Sequence, residues 1–153
     1  MKKIYQHTQT NALLWILSVI IIGAQVIVLL KKDVLENKVV LIPIAIITLV
    51  LVLTSLIFTR LTITITNKHI EAAFGFRVFV QKIALENIDP AKIEVIKTPL
   101  SYGIGLRMTP KGTLYNTRHG KSLHITSKDG KKTFFIGSKN AEEIKAILLK
   151  ELR

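Results

Sequence analysis

The chain has 153 residues, no cysteine, and 22 Lys and Arg against 10 Asp and Glu, a formal charge of +12. Hydrophobic residues make up 49% of it, and the mean hydropathy is +0.40. These values exclude a disordered chain, a disulfide scaffold or thiolate metal site and a large multidomain enzyme, and they require charge and apolar residues to occupy different segments.

Residues 12–30 read ALLWILSVIIIGAQVIVLL and residues 39–59 read VVLIPIAIITLVLVLTSLIFT, both without a charge. At about 1.5 Å per residue, each run covers roughly the 30 Å core of a bilayer. Two transmembrane helices are therefore predicted, over 12–30 and 39–59. Trp15 suits an interfacial anchor. Pro43 is placed in the first turn of the second helix, where a missing N–H costs little. Met1-Lys2-Lys3 resembles the start of a signal peptide, but the apolar run is long and no A-x-A site follows, so an uncleaved span is expected.

Residues 31–38 (KKDVLENK) are too few for anything but a helical hairpin, which puts both termini on one side. Lys2, Lys3, Arg60, Lys68 and Arg77 flank the spans on that side, against Lys31, Lys32 and Lys38 in the link. The excess predicts cytoplasmic termini.

After the spans, residues 61–153 are expected to form one small domain, with residues 1–60 comprising a tail and the hairpin. From Arg60 onward there are 17 Lys and Arg against 8 Asp and Glu, a net of +9, together with seven of the eight glycines and three of the four prolines. Such turn density predicts short strands. Residues 61–66 (LTITIT) alternate strictly, as a strand with one buried face does. Strands follow over 70–74, 76–83 and 92–95. The next, over 101–109, carries Gly103 and Gly105, which suggest a bulge or close backbone approach. Residues 122–126 alternate again, and Asp129-Gly130 is a hairpin signal before 132–136. The period then changes. Asn140 with Glu143 three places on is a variant capping box, and Ile144, Ile147 and Leu148 recur at helical spacing. The region reads as about seven antiparallel strands closed by one C-terminal helix.

Several short stretches carry this layout further. They are residues 62–66, the LENI tetrad of 85–88, Tyr102-Gly103-Ile104-Gly105, Tyr115-Asn116, Asp129-Gly130-Lys131, and 136–138 leading into 140–144. In that order, over roughly 61–151, the chain resembles the bacterial pleckstrin-homology-like (PH-like) domains that follow a pair of membrane helices. Ser138 and Ala141 depart from the Thr and Pro frequent there. The resemblance implies a strongly bent antiparallel sheet plugged by the C-terminal helix, and it implies a fold far better than a function.

Motifs for catalysis or cofactors do not complete. Gly103-Ile104-Gly105 lacks the third glycine of a dinucleotide fingerprint, because position 108 is Met108. Gly120-Lys121-Ser122 lacks the first glycine of a P-loop, because position 115 is Tyr115. His69, His119 and His124 lack metal-ligand spacing. No nucleophile context such as G-x-S-x-G occurs. A non-enzyme without cofactor or metal is expected, and nucleic acid is not the expected partner, since no recognition helix or stacking motif is evident.

The basic residues are the more telling feature, since an anionic leaflet attracts them. The phosphoinositide pattern of some PH domains would use Lys68 and Arg77, but its middle position here is Gly75. The candidate contacts for a protein partner or anionic headgroups are Lys68, Arg77, Tyr102, Arg107, Tyr115, Arg118 and Lys121. The chain is read as a membrane-anchored adaptor. The alternative is a structural subunit of a homo- or hetero-oligomeric membrane assembly, with Ser18, Gly23 and Gln25 at contacts between helices.

Overall fold

A computed structural model describes residues 2–31, 34 and 37–152. Its elements in chain order are β1 (Lys3–Thr10), α1 (Ala12–Leu29), α2 (Lys38–Phe58), β2 (Arg60–Thr66), β3 (His69–Phe74), β4 (Phe79–Ala84), β5 (Glu94–Lys97), β6 (Gly105–Thr109), β7 (Gly112–Asn116), β8 (Lys121–Thr126), β9 (Thr133–Gly137) and α3 (Ala141–Glu151). Short 3-10 turns lie at Leu85–Asn87, Pro90–Lys92 and Leu100–Tyr102. Of the predicted link over 31–38, Lys32, Asp33, Leu35 and Glu36 lie outside the described residues.

The helices start where the sequence supplies caps. The Asn11 side chain accepts from the Leu14 N–H at 3.1 Å, and Asn37 accepts from Val39 at 3.1 Å. Because α2 begins at Lys38, Pro43 is its sixth residue and falls in the second turn instead of the first. There it removes one ladder bond. Among the described residues, α1 and α2 are the two helices long and apolar enough to cross a membrane, and almost nothing in the fold covers them. They join each other through Ser18 Oγ to Ser55 Oγ at 2.7 Å and Thr48 Oγ1 to Gln25 Oε1 at 2.6 Å. Ser18 and Gln25 therefore bond within the hairpin, and only Gly23 of the three suggested contact residues faces open space.

Two sheets form the domain. One has the order β1-β2-β3-β4, the other β5-β8-β9-β7-β6. The strict alternation of β2 buries Leu61, Ile63 and Ile65 completely, while Thr62 and Thr64 face outward. These side chains meet Ile70, Phe74, Leu123, Ile125, Phe134 and Ile136 in one core. Ala141, Ile144 and Leu148 of α3 close it, each large apolar side chain contributing about 1.5–3 kcal/mol on burial.

Eight strands follow the helices where seven are predicted, and a ninth precedes them. The extra strand after the helices is β7, within a segment read as loop. It pairs antiparallel with β6 and parallel with β9, so the strands are not all antiparallel. The strand before the helices is β1, built from the predicted tail and paired antiparallel with β2 from Thr10↔Arg60 to Lys3↔Thr66. The capping box also differs. Asn140 makes no side-chain cap bond. Its amide donates to the Glu143 carboxylate at 2.8 Å, and its own N–H donates to Ser138 Oγ at 3.1 Å.

The helical hairpin is thus an insertion in a β-hairpin. One residue, Asn11, separates β1 from α1, and one residue, Thr59, separates α2 from β2. The Asn11 N–H donates to the Thr59 carbonyl at 2.7 Å, and the Gly75 N–H donates to the Arg60 carbonyl at 2.9 Å. No flexible linker intervenes. A chain of aromatic rings crosses the same junction. Phe79 stacks on Phe58 at 5.5 Å, Phe58 meets Phe74 at 5.4 Å, Phe74 stacks on Tyr115 at 5.7 Å, and Tyr115 meets Phe134 edge-on at 6.5 Å.

Candidate functional site

The seven residues singled out by sequence do not gather in one place. Lys68 sits in the β2–β3 turn, beside a surface cavity of about 600 Å³ that it shares with Lys82, Lys132 and Glu86. Arg77 sits in the β3–β4 turn. The two stand beyond opposite ends of β3, whose five steps cover about 17 Å, so they are not two jaws of one small headgroup site. Arg77 is also committed. Its guanidinium forms a forked pair with Glu71, at 2.7 Å and 2.9 Å. That carboxylate is buried, with His69 Nε2 at 3.8 Å. Arg77 itself has a φ of +65°, a conformation few side chains adopt.

Tyr115 is not at the surface. It is 5% exposed and belongs to the aromatic core, and burial pushes its phenol pKa up. Inward packing of β7 turns it away from any partner. Arg118 and Lys121 flank a small pocket of about 130 Å³ with Ser138 and Lys139, just before α3. Lys121 pairs with Glu142 at 3.1 Å.

Tyr102 and Arg107 share a third location. Gly103 (φ +70°, ψ −160°) turns the backbone between the 3-10 turn and β6 in a way that favours glycine. Asn116, fully buried, clamps that turn. Its Oδ1 accepts from the Gly105 N–H at 2.8 Å, and its Nδ2 donates to the Gly103 carbonyl at 3.1 Å. Where the two glycines suggested a bulge or a close backbone approach, the structure has a turn bracketed by a side chain. The Arg107 guanidinium lies over Gly103, close enough that a Cβ there would touch Nε at 3.6 Å. Among the described residues, Arg107 has no carboxylate partner within ion-pair distance.

Sequence reasoning missed the groove into which this segment leads. It has a volume of about 360 Å³. Leu13, Leu14 and Leu17 of α1 form one wall, Thr54 and Phe58 of α2 another, and residues 104–107 close it. Helix residues and the start of β6, some ninety positions beyond α1, form it jointly, so no local pattern signals it. No known protein family, curated protein or solved structure matches the chain.

The histidines are dispersed. His119 lines the pocket beside Arg118. His124 lies flat on Phe135, with ring centroids 4.4 Å apart. Desolvation holds the His124 pKa below its usual 6.5, against an opposing pull from Glu94. An unfolded chain then binds this proton more readily than the folded one, so stability rises with pH across that window. Thermal unfolding should show a midpoint that falls as pH drops below about 6.5, and His124→Phe should flatten that slope. An unchanged slope in the variant would remove His124 as its source.

Proposed function

We propose that the chain is a bacterial-type membrane protein, in which α1 and α2 span the bilayer and present a PH-like domain at the cytoplasmic face. It acts without catalysis, as an adaptor that binds a protein partner at the anionic membrane surface. The observation that carries this reading is the junction. A bilayer that holds α1 and α2 also holds the ends of β1 and β2, because one residue separates each helix from its strand. The domain carries a net +9, and basic groups near an anionic leaflet gain roughly 1 kcal/mol each. Arg60, Arg77 and Arg107 lie at the junction end, whereas Lys68 lies some 20 Å along β2 from Arg60, more than a Debye length of about 8 Å. The junction end therefore suits headgroups, and the remoter surfaces are left for a protein.

Single cysteines in this cysteine-free chain test the arrangement. A thiol at Asn37→Cys should label from outside intact cells, and one at Gly130→Cys only after the cells are opened. The reverse pattern overturns the cytoplasmic placement. Crosslinking from Arg118→Cys and Lys121→Cys should give discrete heterologous products. A regular ladder of self-crosslinks would instead favour a structural subunit.

A further inference from the structure

The groove between the helix bases and β6 has features that neither a protein core nor an ordinary solvated cleft explains. Leu13, Leu14, Leu17 and Phe58 wall it. Among the described residues that line it, Arg107 is the one that carries a charge, and its guanidinium lies beside the groove, over Gly103. Leu17 is the sixth residue of α1, so the wall climbs about 8 Å from the junction along the helix. If the helices span a bilayer, the groove runs from the headgroup level down to the acyl boundary, where amphipathic segments settle some 5–10 Å deep. Its contents then come from the bilayer.

We infer that this groove holds one anionic phospholipid of the adjacent leaflet, with its phosphate on Arg107 and the start of an acyl chain against Leu13, Leu14, Leu17 and Phe58. The inference rests on the membrane-spanning reading and goes beyond it by naming a discrete lipid site. Charge and shape agree. A guanidinium presents a planar fork of donors that matches phosphate, and among the described residues no carboxylate occupies the fork of Arg107. The fork of Arg77, by contrast, is closed by Glu71. At about 360 Å³ the groove is at the small end of ligand sites. It has room for the glycerol region and the first part of one chain. Asn116 acts as a positioning residue, since it fixes the Gly103–Gly105 turn that carries Arg107.

The test uses the full chain in phosphatidylcholine nanodiscs, with bromine-labelled phosphatidylglycerol or bromine-labelled phosphatidylcholine as the quencher. Native Trp15, the one tryptophan of the chain, reports whether α1 is in lipid. A second protein, Trp15→Phe with Leu17→Trp, puts the reporter in the groove. Phosphatidylglycerol is expected to quench the groove reporter at about fivefold lower mole fraction than phosphatidylcholine, the share due to one arginine at the surface. Arg107→Gln should erase that preference. Arg107→Lys should keep part of it, and Arg77→Gln should leave it intact. Equal quenching by both lipids overturns the lipid site while leaving the spanning reading in place. Quenching of Trp15 without quenching of the groove reporter does the same, and means that protein covers the groove. An unquenched Trp15 overturns the spanning reading and the site together.

Discussion

Phe74→Ala is expected to cost about 3–5 kcal/mol of folding stability, the usual range for a large aromatic side chain removed from a core. The side chain is completely buried. It touches Phe58 at the end of α2 on one side and Tyr115 of β7 on the other, so it ties the helical hairpin, the first sheet and the second sheet at one point. Little can collapse into the space, because both neighbours are rings fixed by further partners, Phe79 and Phe134. In a domain of this size the loss should lower the midpoint of thermal unfolding by more than about 10 °C. Phe76→Ala is the control. Phe76 is 82% exposed in the neighbouring turn, and its removal should change stability by no more than about 0.5 kcal/mol. Comparable losses in the two variants would show that the aromatic chain does not connect the two sheets.

The parts of the fold that were legible in the sequence are those whose signal is local. The two uncharged runs became α1 and α2, and the Leu-Thr-Ile-Thr-Ile-Thr alternation became β2 with its apolar residues inward. Asp129-Gly130 became the turn between β8 and β9, tightened by a hydrogen bond from the Ser127 hydroxyl to Asp129. β1 was illegible for a physical reason. Its inward positions are Tyr5, His7 and Gln9, so no apolar alternation exists to be seen. Its partner β2 is adjacent in space only because the hairpin folds back. Gln9 is buried because its side-chain amide donates to the Gly137 carbonyl, a contact 128 positions away. β7 was hidden because Leu114, Tyr115 and Asn116 are all buried, so it shows no alternation of inward and outward residues. Its parallel neighbour β9 lies some twenty residues on, and a glycine on each flank made Tyr115 look like a loop aromatic. Of the candidate site, Arg107 and its glycines were visible as residues. Their role was not, because the groove takes its other walls from residues 13–17 and 54–58.

Gly75→Ala is expected to be the most damaging single methyl that can be added at the junction. Gly75 has a φ of +57°, and a Cβ there would lie 2.8 Å from the Ile57 carbonyl oxygen and 2.9 Å from Ile57 Cα. Both are backbone atoms of α2, which cannot rotate aside as a side chain could. The left-handed conformation alone costs a non-glycine residue roughly 1–2 kcal/mol. The steric conflict adds to it, since the turn must move off the helix or give up the bond from its N–H to the Arg60 carbonyl. A total of about 3 kcal/mol or more is expected. Gly130→Ala separates the two contributions. Gly130 has a similar φ of +69° but open space around its missing Cβ, so it should lose only the conformational part, about 1–2 kcal/mol. The difference between the variants, read from thermal unfolding of the full chain, measures how tightly the β3–β4 turn is pressed against α2. Equal losses would mean that the turn yields freely and that the domain is not braced on the helix there. A larger loss at Gly75, accompanied by new proteolytic cutting near Thr59, would mean that one close backbone contact helps hold the domain at a fixed attitude to the helices. The groove takes its walls from both the helices and residues 104–107, so Gly75→Ala should also weaken the lipid preference proposed for Arg107 without touching any residue that lines the groove.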